Sequence, residues 1–146
     1  MLRFFALLIA IGLRVAFAAG PDYNVLVIHS YHSGLAWTDS VHRGLTESLN
    51  ASGLNIDLHV EHMDALRFRD RIDILRDNFA RTLQSKFKDQ PPDAIVVSDN
   101  DALEFILMER PHWAPQVPVV FCGINGLRRE MLEPHRNLTG VAEKAS

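Results

Sequence analysis

The chain has 146 residues, 47% of them hydrophobic and 23% charged, with 15 Lys or Arg against 18 Asp or Glu. That length fits one ordinary domain, the apolar content excludes a disordered chain, and a net charge of −3 gives no electrostatic drive toward nucleic acid. The single cysteine excludes an internal disulfide framework and any Cys-rich zinc module.

Residues 1–18, MLRFFALLIAIGLRVAFA, place Arg3 before the apolar run Phe4 to Leu13 and end on Ala16-Phe17-Ala18. This is the three-part layout of a secretory signal, with cleavage after Ala18. The run is about ten residues against the roughly 20 that a bilayer span needs, and Arg14 interrupts it. An uncleaved membrane anchor and an amphipathic helix packed on the domain are the alternatives. Cleavage would leave 128 residues, remove Arg3 and Arg14 so that the charge moves from −3 to −5, and place the mature protein in the periplasm.

After Gly20-Pro21, the β-branched apolar run Tyr23 to His29 predicts a strand buried on both faces. Thr38 to Asn50 has helical spacing, with Val41, Leu45, Ser48 and Leu49 on one stripe, Thr38 or Asp39 as cap and Gly53 at the end. Leu54 to Val60 alternates apolar and polar residues, as a half-covered strand nearer an edge does. Asp70 to Lys86 is again helical, through Ile72, Leu75, Phe79 and Leu83, with Asp70 as its cap. Past the break at Gln90 to Asp93, Ala94 to Val97 predicts a third strand, and Asp101 to Glu109 a third helix carrying Leu103, Ile106 and Leu107. Pro111 and Pro115 bracket a loop, Val117 to Phe121 predicts a fourth strand, and no fifth strand is evident. Strands alternating with helices in the order β-α-β-α-β-α-β predict an α/β fold, a three-layer Rossmann-like parallel sheet.

In an open parallel sheet, ligands sit beyond the carboxyl ends of the strands, near the point where strand order reverses. Here those ends run into His29-Ser-Tyr-His-Ser-Gly-Leu-Ala-Trp37, Glu61-His-Met-Asp64, Ser98-Asp-Asn-Asp101 and Cys122-Gly-Ile-Asn-Gly126. Ser30 and Ser98 offer hydroxyls, Asn100 and Asn125 paired donors and acceptors, Tyr31 and Trp37 apolar faces with polar tips. Gly123 and Gly126 permit close backbone approach. Taken singly, each residue reads as a turn or a helix cap, Asp101 in particular as the cap of the third helix. Their convergence on one edge is what favours a pocket.

Sharper chemistries find less support. Of the His pairs with a two-residue spacer, His59 and His62 face opposite sides of a strand. His29 and His32 straddle a strand end and could converge, but no thiolate supports them as metal ligands. Ser30-Tyr-His-Ser-Gly34 is not a phosphate loop, and no Gly-x-Ser-x-Gly elbow is present. A receiver domain would place Asp99 as phosphoacceptor, yet it needs an acidic pair where this chain has His29-Ser30.

Val27-Ile-His-Ser-Tyr-His32 and Trp37-Thr-Asp-Ser-Val-His-Arg-Gly44 resemble the opening of periplasmic substrate-binding proteins of the uncharacterised ABC-transporter type. The same module occurs as the extracytoplasmic sensor of bacterial histidine kinases and diguanylate cyclases. Glu61-His-Met-Asp64, Asp93 to Ala102, Pro118 to Asn125 and Leu138-Thr-Gly-Val141 extend the likeness over about residues 23–142. The resemblance implies one lobe of a type I periplasmic-binding-protein-like fold over 22–142, with 143–146 starting the crossover to a second lobe. It implies a small, amino-acid-like organic ligand in the cleft between lobes. Ser30, Tyr31 and Trp37 would line that cleft from strand one, Ser98, Asp99 and Asn100 from strand three, and Gly123 and Asn125 from strand four. Asp64, closing strand two, completes the candidate set. No catalytic residue, cofactor or metal is implied, and the expected partner is a membrane sensor kinase or an ABC permease. The sequence stops at Ser146, where the second lobe should begin, so a fragment of a longer protein is expected. The rival expectations are a secreted α/β enzyme using Asp64 or Asp99 as acid or base, and a purely structural interaction domain.

Overall fold

The computed structural model describes residues 20–143. The expected secretory signal, 1–18, lies outside the described residues, as do 144–146 of the expected crossover. Five strands, β1 (Tyr23–His29), β2 (Ile56–His62), β3 (Ala94–Ser98), β4 (Val119–Ile124) and β5 (Leu138–Ala142), form one sheet in the order β2-β1-β3-β4-β5. Every pairing is parallel. The helices are α1 (Ala36–Ala51), α2 (Ile72–Phe87), α3 (Asn100–Trp113) and the single turn α4 (Arg129–Leu132), with a 3-10 turn at Arg69–Arg71 before α2. The fold is α/β, a parallel sheet with helices on both faces, as the alternation of elements predicts.

Position in the sheet explains the sequence patterns. Central β1 is buried continuously from Val25 to His29, because strands flank it and helices cover it. Among the described residues, edge strand β2 pairs only with β1 and has no fully buried residue, which matches its alternating pattern. Leu26, Ile28, Ile95, Val97, Val119 and Phe121 point to one face and pack against Leu83 and Phe87 of α2 and Leu103, Phe105 and Ile106 of α3. Each such side chain contributes about 1.5–3 kcal/mol relative to exposure. Among the described residues, helix α1 alone lies on the other face, where His42 meets His29. On that face Val27, Val96 and Val120 are neighbours in register, and beyond α1 the sheet is open: Val120 is 41% exposed.

Several local expectations need correction. Helix α1 starts at Ala36, so Thr38 is a buried residue of its first turn rather than a cap, and Asp39 Oδ1 accepts from the Gly34 N–H at 2.9 Å. Asp70 belongs to the 3-10 turn and does not cap α2. Asp101 is no cap either; its buried carboxylate accepts from Arg69 Nη1 at 3.0 Å and Arg76 Nη2 at 3.2 Å, tying α2 to α3. Pro111 does not open a loop but lies in the last turn of α3. That turn closes with the Ala114 N–H on the Arg110 carbonyl at 2.8 Å, while the buried Arg110 guanidinium donates to the carbonyls of Val117, at 2.8 Å, and Arg136, at 2.9 Å. Strand β5 and the short α4 are additions; four of the five β5 residues are exposed, which is why no strand signal stood out. Among the described residues no helix is long and apolar enough to cross a membrane.

Candidate functional site

From β1 the chain moves outward one way to β2 and the other way to β3, β4 and β5, so strand order reverses between β1 and β3. The carboxyl ends there carry His29-Ser30 and Ser98-Asp99. Ser30 locks the two together. Its N–H and its hydroxyl both donate to the Ser98 carbonyl, at 3.1 and 2.7 Å, and the hydroxyl oxygen accepts from the Ala102 N–H at 2.8 Å. A residue after β1 thereby satisfies one of the free N–H groups at the start of α3.

Asp99 follows with φ 69° and ψ 167°, a backbone region reserved almost wholly for glycine and costing about 1–3 kcal/mol for any other residue. Its N–H is held by the Cys122 carbonyl at 3.0 Å. Its carboxylate receives the Trp37 indole N–H at 2.6 Å and the Tyr31 hydroxyl at 3.3 Å. Burial pushes the Asp99 carboxyl above the usual carboxylate range; these two hydrogen bonds oppose the rise, while nearby Glu143 and Asp101 add to it. Burial and the Asp99 charge likewise raise the Tyr31 phenol, and the same two causes raise the Cys122 thiol.

Tyr31, Trp37, Asp99, Asn125 and Glu143 line a depression of about 260 Å³. Asn125 is fixed by a reciprocal pair with Asn100: the Asn100 amide donates to the Asn125 carbonyl, and the Asn125 N–H donates to Asn100 Oδ1, both at 2.9 Å. The Trp37 indole lies over Gly123, where an added Cβ would stand 3.0 Å from Cζ2. The structure thus brings together Tyr31, Trp37, Asp99, Asn100, Gly123 and Asn125. Ser30 and Ser98 are buried beneath them as framework. Asp64 stands apart, clamped by Arg67 through Nε at 2.7 Å and Nη2 at 2.6 Å, and lines a different hollow of about 330 Å³ with Phe68 and Phe79. Those hydrogen bonds hold the Asp64 carboxyl below its ordinary range. A larger hollow of about 540 Å³, along the ends of α2 and α3, contains none of the candidate residues.

The histidines sort differently from their spacing. His59 and His62 do face opposite sides, His59 meeting Phe87 and His62 meeting His29. His32 pairs with Asp64 at 3.4 Å rather than with His29. His29 instead joins His42 and His62, a grouping legible only once β1 and β2 are aligned so that His29 stands beside His62. Glu143 was also invisible to motif reading, and only the course of β5 brings it to the depression. Among the described residues no group of three or more His, Cys, Asp or Glu side chains is arranged to hold a metal. No family model, curated protein or solved structure matches the chain.

Proposed function

We propose that this chain is an extracytoplasmic ligand-recognition lobe of the periplasmic substrate-binding type, working within a bacterial sensor kinase or an ABC uptake system. The observation that carries this reading is the convergence of Trp37 and Tyr31 on the strained Asp99 at the reversal of strand order. Binding sites concentrate at that position, and backbone strain of this kind is retained where a side chain must be aimed. Among the described residues, the depression offers two carboxylates, two aromatic faces and an amide, and no Lys or Arg lines it. This suits a small organic molecule bearing an ammonium group, such as an amino acid, held by charge-assisted hydrogen bonds and cation–π contact. A second lobe would close over the ligand from the other side. Ligand would then shift the population toward the closed state, which the membrane partner reads.

A thermal-shift screen of the protein against free amino acids and polyamines tests this. At a hundredfold excess over Kd, binding adds about 2.7 kcal/mol, roughly 5–10 °C in Tm. Asp99→Asn and Trp37→Ala should abolish the shift. No response to any compound, in this chain and in a two-lobe parent alike, would sink the reading.

The enzyme reading has one observation in its favour, the raised Asp99 carboxyl, since buried acids of this kind serve as proton donors. Asp64 offers no support, because its charge is already satisfied by Arg67. Hydrolase turnover in the native protein that disappears in Asp99→Asn while ligand binding persists would favour the enzyme.

A further inference from the structure

Three elements each bring one imidazole to the α1 face of the sheet. His29, at the end of β1, is fully buried; its Nδ1 meets Ser98 Oγ at 2.7 Å and its Nε2 meets His42 Nδ1 at 3.2 Å. His62, its register partner on β2, lies beside it with ring planes tilted by 33° and centroids 5.1 Å apart, and His42 on α1 meets His29 edge-on at 5.3 Å. The charged groups around the cluster are few. Helix α1 contributes Asp39, β2 contributes Glu61, which Lys86 of α2 already holds, and the following loop contributes Asp64, which Arg67 holds. Strand β3 contributes the neutral Ser98 hydroxyl. Among the described residues no carboxylate touches either ring nitrogen of His29.

The His29–His42 contact is a nitrogen-to-nitrogen hydrogen bond, so one ring must donate and the other accept. A proton on each facing nitrogen turns it into two opposed N–H groups in a buried setting. The same helix carries Trp37, one wall of the depression.

We propose that His29, His42 and His62 form an acid-released clasp, holding α1 and Trp37 against the sheet at neutral pH and freeing them on acidification. The electrostatics agree. Burial, then the neighbouring His62 and His42, lower His29 from 6.5 to about 4, against a smaller opposite pull from Asp39. Burial followed by His42 lowers His62 too. Because the closed state disfavours the charged form, the clasp has full strength above about pH 6.5 and loses it as pH falls toward 4. Release of a bound ligand on acidification would follow from the function proposed above; the clasp itself does not depend on it.

Amide hydrogen exchange followed by mass spectrometry on the native protein, without ligand, tests this. After correction for the intrinsic pH dependence, peptides from 36–51 should lose protection about 30-fold between pH 7.5 and 5, with peptides from 100–113 unchanged. Replacing His29 risks misfolding, so the variants are His42→Gln and His62→Gln, which keep polar groups but do not titrate. Each should shrink the acid effect at least threefold, with protection of 100–113 at pH 7.5 reporting that the variant is folded. Parallel loss in α1 and α3, no loss in α1, or an undiminished loss in both variants would overturn the clasp.

Discussion

The two faces of the sheet are held by different forces. On the α2 and α3 face, aliphatic and aromatic side chains close into a continuous apolar core, with Phe105, Leu103 and Leu83 fully buried. On the α1 face, Val25 and Val27 give way toward the carboxyl end to a polar row, His62, His29, Ser98 and Cys122, each the register neighbour of the next. Apolar burial is non-directional and insensitive to pH, whereas imidazole and carboxylate contacts are directional and titrate. One face therefore suits permanent stability, and the other suits a helix that can be displaced.

The comparison breaks if the two faces respond alike to truncation. Phe105→Ala should cost about 3–5 kcal/mol in urea unfolding, since it empties a fully enclosed site. Val41→Ala, on the half-buried stripe of α1, should cost only about 1–2 kcal/mol. Acid supplies the next largest effect. With His29 held near 4 in the folded state against 6.5 when exposed, up to about 3 kcal/mol of the stability present above pH 6.5 is lost progressively as pH falls from 6.5 to 4. Urea midpoints at pH 7.5 and 4.5 read this, and a His62→Gln variant should reduce the difference.

These contrasts also mark what the sequence made legible. The β1 run and the alternation in β2 revealed a central and an edge strand, because burial on two faces or one writes itself directly into residue order. Helix starts were misread because the α1, α2 and α3 termini have no side-chain cap of their own; α3 borrows Ser30 from beyond β1, 72 residues away. Strand β5 escaped because an exposed edge strand with only Leu138 turned inward carries almost no apolar signal. At the candidate site, strand ends pointed to Tyr31, Trp37, Asp99 and Asn125, and these do share one depression. Motif reading could not separate them from Ser30 and Ser98, which are spent on the framework, or see that Arg67 withdraws Asp64. The histidine cluster depends on strand register and on the pitch of α1, so spacing along the chain did not reveal it.

Asp99 sharpens the contrast from the side of the backbone. Asp99→Ala and Asp99→Gly both delete the carboxylate that Trp37 and Tyr31 share, and differ only in a Cβ at φ 69°. Glycine should be the more stable by about 1–2 kcal/mol, because only it occupies this region without strain. Equal stability in thermal unfolding would show that the local conformation is not maintained by Asp99's neighbours.

The smallest effect separates strain from contact at the site. Gly123 and Gly126 both have positive φ, 67° and 64°, so alanine at either position should cost about 1 kcal/mol from the backbone alone. Their surroundings differ: a Cβ on Gly126 meets nothing, whereas one on Gly123 presses on the Trp37 ring. Trp37 emission should therefore shift in Gly123→Ala and stay put in Gly126→Ala, with Trp113→Phe as background so that one indole reports. Loss of ligand response confined to Gly123→Ala would place the Trp37 wall, rather than the flexibility of the loop after β4, at the centre of recognition. The same shift in both variants would mean that the loop moves as a unit and that the indole's seat on Gly123 is incidental.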